Sequence, residues 1–150
     1  MSWRAQNKQI QPPFDMRNSP ESPAPSVTAL RVLIADDNKD AALSLSLLLE
    51  LHGHTVFTAF NGQQALDIGE KESLDAAVLD IGMPELDGYE LAQRIRKCSW
   101  GRRVKLIAAT GYGQPSDVKR AKEAGFDQHL LKPMAFEAID QALRDSKSEE

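Results

Sequence analysis

At 150 residues the chain has room for one domain of ordinary size. A formal net charge of -4 and a pI near 5.4 argue against a dedicated nucleic-acid-binding domain, which would be basic. Cys98 is the only cysteine, which excludes an internal disulfide and fits a reducing, cytoplasmic setting.

Residues 1–29 differ from the rest. Five of the eight prolines, Pro12, Pro13, Pro20, Pro23 and Pro25, fall here among Gln, Asn and Ser. That composition cannot bury enough apolar surface to offset its ordering entropy, so it reads as a disordered tail or linker. Trp3, Ile10 and Phe14 are its candidate docking anchors. The first thirty residues hold no continuous apolar core of the kind a secretory signal needs. The most apolar stretch, Leu43 to Leu51, is broken by Ser44, Ser46 and Glu50 and is too short for a bilayer. No membrane partner is expected.

From Arg31 apolar runs alternate with helical patterns. RVLIA, 31–35, reads as a buried strand running into Asp36, Asp37 and Asn38. Residues 40–52 are leucine-rich and helical, with Gly53 suited to the C-cap. HTVFTAF, 54–60, is a second strand; Asn61-Gly62 is a turn; 63–72 is a helix with Ala65, Leu66 and Ile68 inward. The third strand, 76–79, ends in the carboxylate of Asp80, then glycine, methionine and proline. Asp87 N-caps a helix whose inward positions are Leu91, Ile95 and Cys98. VKLIAA, 104–109, ends at Thr110-Gly111, and Pro115 opens a helix that stops at Gly125. The fifth strand, 127–131, ends at Lys132-Pro133, and Phe136, Ile139 and Leu143 mark a last helix without an N-capping oxygen. The final residues, 146–150, read as a solvated tail. Five strands alternating with five helices imply an α/β fold with a parallel sheet covered on both faces. The basic stretch Arg94, Arg96, Lys97, Arg102, Arg103 and Lys105 reads as a solvated face.

The strand ends carry the chemistry. The first delivers Asp36 and Asp37, the third Asp80, the fourth Thr110 and the fifth Lys132. In a doubly wound sheet these ends share one edge, where ligands bind. Two carboxylates about 4 Å apart repel by roughly 4 kcal/mol at an effective dielectric of 20, so three demand a cation beyond Lys132. Mg²⁺ suits such a site, because it binds through one or two carboxylates and recruits phosphate oxygens. A carboxylate beside Mg²⁺, an ammonium and a hydroxyl is arranged to take a phosphoryl group as an acyl phosphate.

With the acidic pair Asp36-Asp37, Asp80 in LDIGMPELDG, Thr110 in AATG and Lys132-Pro133 in LLKP, the chain from about Arg31 to Leu143 resembles a response-regulator receiver domain of two-component signalling. The resemblance implies a flavodoxin-like (βα)5 three-layer sandwich of strand order 2-1-3-4-5, in a domain spanning 30–145. It implies that Asp80 is the phosphoacceptor, and that Asp37, Asp80 and the main-chain carbonyl of Gly82 hold Mg²⁺, with Asp36 acting mainly through metal-bound water. Lys132 would pair with the phosphoryl oxygens and Thr110 would hydrogen-bond one of them. The Lys132-Pro133 peptide would be cis. The partners implied are a histidine kinase or histidine phosphotransfer protein and an unidentified downstream protein. The output would travel through residues 114–143, with Ala108, Ala109, Val118, Ala121 and Leu130 near that face. A homodimer through the last helices is a further possibility.

Three positions set this chain apart within the family pattern. Where the family carries a switch Tyr or Phe, three residues before the lysine, this chain has His129, which suggests a smaller rotor whose response depends on pH. Gly82 offers no side chain to orient water and Tyr112 is bulky, which together suggest a moderately long-lived phosphoform. The alternatives are a Mg²⁺-dependent phosphohydrolase and the receiver portion of a hybrid kinase. The first needs a second acid two residues after the nucleophile, where Gly82 stands. A nucleotide-binding Rossmann turn is opposed by Asp36-Asp37-Asn38-Lys39, which would repel a pyrophosphate.

Overall fold

Five parallel strands lie in the order β2-β1-β3-β4-β5. The computed structural model describes residues 29–111 and 115–145, so the readings for residues 1–28, for Tyr112 and for the final five residues lie outside the described residues. In chain order the elements are β1 (Arg31–Ala35), α1 (Lys39–Leu51), β2 (Thr55–Ala59), α2 (Gly62–Lys71), β3 (Ala76–Asp80), α3 (Gly88–Lys97), β4 (Lys105–Thr110), α4 (Pro115–Ala124), β5 (Gln128–Leu131) and α5 (Phe136–Arg144).

The period-2 geometry of a strand explains why the apolar runs are continuous. Leu33, Ala77, Leu79, Leu106 and Ala108 face the layer of α2, α3 and α4, while Val32, Ile34, Val78 and Ile107 face α1 and α5. Every residue of β3 and β4 is buried. Each fully buried Leu or Ile contributes about 1.5–3 kcal/mol, so the central strands anchor the fold.

Helix starts follow local chemistry. Asn38 Oδ1 accepts the Ala41 N–H at 3.1 Å, Asn61 Oδ1 accepts Gln64 N–H at 2.8 Å, and Asp87 Oδ1 accepts Glu90 N–H at 2.9 Å. Asn61-Gly62 is therefore the cap and first residue of α2 rather than a separate turn. Gly53 and Gly125 follow α1 and α4 with φ of 95° and 112°, as the helix stops required. The N-cap of α5, Ala135, makes no side-chain hydrogen bond.

Two further sequence expectations change. Cys98 caps α3 from outside the helix, half-buried, with its thiol donating to the Arg94 carbonyl at 3.3 Å; the buried stripe is Tyr89, Leu91, Ala92 and Ile95. The basic stretch is not uniformly solvated. Lys105 is 6% exposed, and its Nζ donates to the carbonyls of Ala142, at 2.6 Å, and Asp145 at the end of α5. Arg96 bonds the carbonyls of Gly101, Val104 and Gly125 and pairs with Asp127 at 3.0 Å. Arg94, Lys97, Arg102 and Arg103 are exposed, as read. A charge run on one sequence stretch is split because a helix end, a short 3-10 turn at Ser99–Gly101 and a strand start point it in different directions.

Candidate functional site

The chain crosses from β1 outward to β2 and, after α2, back to β3 on the other side, so the switch point falls between β1 and β3. Ala35 lies in register with Leu79. The next residue on each strand is a carboxylate, which sets Asp36 beside Asp80 at the carboxyl edge.

Each is oriented by its own backbone. Asp36 Oδ1 accepts the Asn38 N–H at 2.9 Å, and Asp80 Oδ1 accepts the Gly82 N–H at 3.1 Å. Both carboxylates are buried, while Asp37 is exposed. One oxygen from each of Asp36, Asp37 and Asp80 lies within 4.8 Å of the others. Lys132 reaches the group from the end of β5, its Nζ 3.0 Å from Asp80 Oδ1 and 3.5 Å from Asp36 Oδ2. Its backbone N–H donates to the Thr110 carbonyl at 2.7 Å. Thr110 is buried and ends β4 one residue past Ala109, the register partner of Asp80. The Lys132-Pro133 peptide is cis.

The charges shift one another. Burial raises the pKa of Asp36 above the ordinary carboxylate value, opposed by the Asn38 N–H and reinforced by the Asp80 charge. Burial pulls Lys132 down, but the hydrogen bond and charge of Asp80, then of Asp36, outweigh it and hold the ammonium above its ordinary value. Three carboxylates against one ammonium leave negative charge in excess, and every donor is a hard oxygen. That donor set fits Mg²⁺. Gly82 stands two residues past Asp80 at the rim, exposed and tied to it through its N–H.

A groove of about 550 Å³ opens beside the cluster between α1 and α5, lined by Asp36, Lys132, Ala41, Leu48, Met134 and Phe136. His129 lies elsewhere, half-buried opposite Ala108 on β5. Leu130 packs toward α1 and α5, so alternation turns His129 toward α4. It lines a cavity of about 570 Å³ between α4 and α5, and its Nε2 has no hydrogen-bond partner among the described residues. Around that face Ala108, Ala109 and Ala121 are buried, Leu130 is half-buried and Val118 is exposed.

Two contributors were not picked out from sequence. Asn38 both orients Asp36 and caps α1; the signal was an Asn two residues after an Asp at a strand end. Gly88 lets α3 start hard against the site strand, since a Cβ there would lie 2.7 Å from the Asp80 carbonyl oxygen and from the Ile81 Cα. No local sequence signal marks that approach.

The response regulator receiver domain family matches residues 32–144. The chain is 34% identical over 130 residues to the virulence sensor protein BvgS of Bordetella pertussis, covering 83% of this chain but 10% of that one. The chain thus spans about a tenth of that relative's length. It is 32% identical over 114 residues to sporulation initiation phosphotransferase F of Bacillus subtilis, covering 76% of this chain and 90% of that one. Among solved structures it resembles the receiver domain of a sensor histidine kinase from Pseudomonas aeruginosa PAO1, which has a magnesium ion coordinated in its active-site cleft. That likeness has a TM-score of 0.71 at 29% identity, over 78% of this chain and 96% of that one. With the 2-1-3-4-5 parallel sheet and the strand-end carboxylates, this match means that the chain belongs to the response regulator receiver domains, a signalling family phosphorylated on aspartate.

Proposed function

We propose that Asp80 takes a phosphoryl group from the phosphohistidine of a histidine kinase or phosphotransfer protein. The observation that carries this reading is Asp80 beside Asp36 and Asp37, with Lys132 Nζ 3.0 Å from its Oδ1. The Asp80 carboxylate attacks phosphorus, the bond to the imidazole nitrogen breaks, and the imidazole keeps the electron pair and takes up a proton. Asp36, Asp37 and Asp80 would hold Mg²⁺, with the Gly82 carbonyl completing the protein ligands and Asp36 acting mainly through water. The ion supplies positive charge for the phosphoryl oxygens. Lys132 moves its hydrogen bond from the carboxylate to a phosphoryl oxygen, and Thr110 donates its hydroxyl to another.

Signalling follows as a population shift of the face built from α4, β5 and α5, recognised by a downstream protein. His129, on β5 opposite Ala108, is the rotor behind Thr110. Gly82, with no side chain to orient water, supports a moderately long-lived phosphoform; a half-life of seconds would overturn that part. A hydrolase reading lacks its second acid at Gly82. A second reading, the receiver portion of a longer sensor kinase, is favoured by the alignment with a tenth of BvgS.

The deciding experiment incubates the full chain with Mg²⁺ and a small acyl phosphate, beside Asp80→Ala. Alkali-labile, hydroxylamine-sensitive label in the wild type and none in the variant is expected. Equal labelling of both would remove Asp80 from the reading.

A further inference from the structure

Helix α1 is apolar on two faces. Ala42, Ser46 and Leu49 are buried against the sheet, yet Leu43, Leu47 and Leu51 lie at i, i+4, i+8 on another face, 53%, 58% and 72% exposed. With Leu48 at the groove rim, α1 holds four of the six large apolar side chains exposed among the described residues. A helix apolar on more than its core stripe is ordinarily covered on both sides.

The chain itself brings a candidate cover. Leu30 packs with the α1 and α5 layer, its N–H donates to His54 Nδ1 at 3.0 Å, and its carbonyl accepts the Thr55 N–H at 2.9 Å. The chain therefore enters the domain beside His54 and Thr55, which directly follow the C-terminal end of α1. The 29 residues before Leu30 include Ile10-Gln11-Pro12-Pro13-Phe14. Prolines favour an extended form of about 3.1 Å per residue, in which a step of four residues, the separation of Ile10 and Phe14 in sequence, reaches about 12 Å. Leu43 and Leu51 are also about 12 Å apart at 1.5 Å per residue of helix. The sixteen residues from Leu30 back to Phe14 can span roughly 50 Å, far more than the length of α1. A tethered segment also competes at millimolar effective concentration, ahead of a second copy at micromolar.

From this we infer that residues 10–14 lie along the Leu43, Leu47 and Leu51 face of α1, with Ile10 and Phe14 as the anchors. The contact does not depend on the role of Asp80. Its corollary, that the segment borders the groove by which a phosphodonor protein reaches Asp80, rests on the reading above.

The test uses the full chain with isotope-labelled methyls and aromatic rings in NMR. Nuclear Overhauser contacts from the Phe14 ring to the Leu47 and Leu51 methyls are expected. Phe14→Ser should abolish them and shift those two methyl signals, leaving the Val78 and Ile107 methyls in place. A Leu47→Ser variant should move the Ile10 and Phe14 signals in return. The inference is overturned if the Leu47 and Leu51 methyls ignore Phe14→Ser. It is overturned equally if the contacts arise only between labelled and unlabelled molecules, which would make a second copy the occupant.

Discussion

Lys132 and Asp80 meet across the width of β4, Nζ to Oδ1 at 3.0 Å, so the end strand of the sheet delivers a cation to a carboxylate two strands away. Lys132→Ala is expected to slow phosphoryl incorporation on Asp80 by about a hundredfold, the scale of one lost charge-stabilising donor. Mg²⁺ affinity should hold or rise, because a competing positive charge is gone. Stopped-flow labelling and metal titration separate the two effects.

Metal-free protein carries the repulsion of the acidic cluster. Asp36 has its pKa raised by burial and by Asp80, so its contribution to stability is present below the ordinary carboxylate value and lost as pH rises through its folded value. At pH 7 without metal, Asp36→Asn should therefore raise the Tm. Mg²⁺ at about 100 times its Kd should stabilise the wild type by about 2.7 kcal/mol, and Asp37→Asn should remove most of that gain. Thermal unfolding with Mg²⁺ and with EDTA checks both.

His54 is buried, and burial lowers its pKa, with Asp140 opposing and His52 adding to the shift. Its Nδ1 accepts the Leu30 N–H, a bond open only to the form unprotonated at that nitrogen. The sign follows: stability is present above the unfolded value of 6.5 and lost as pH falls through the lower folded value. The wild type should lose more Tm between pH 7.5 and pH 5 than His54→Gln does.

Arg96 ties the end of α3 to the α4–β5 turn through Gly125 and Asp127. Asp127 Oδ2 also accepts the Leu106 N–H at 2.9 Å, so it would keep one partner. Arg96→Met, which keeps the aliphatic bulk but strands three or more carbonyls, should cost about 3 kcal/mol in urea unfolding.

Gly69 on α2 faces Trp100, where a Cβ would lie 2.1 Å from a ring carbon. Gly69→Ala should destabilise by about 1–3 kcal/mol through overpacking. In a Trp3→Phe background the emission of Trp100 should shift to the red as the indole is displaced.

Much of this molecule is legible in one dimension. The alternation of apolar runs with helical patterns specifies the elements, because a strand covered on both faces must be apolar at every position. Asp36, Asp37, Asp80, Thr110 and Lys132 stand out as polar residues directly after such runs. What pattern alone left open was strand order, which depends on pairing between segments far apart in the chain; the family resemblance supplied it.

Tertiary structure decided the rest. It turned Arg96 and Lys105 from a charged face into anchors, because the carbonyls they bond belong to helix and turn ends distant in sequence. It made Gly88 necessary through a backbone approach that no local pattern records. It also left the leucines of α1 facing outward, since the sheet has room for only one face of that helix. Composition and period determine which residues want burial; only packing decides which of them receive it.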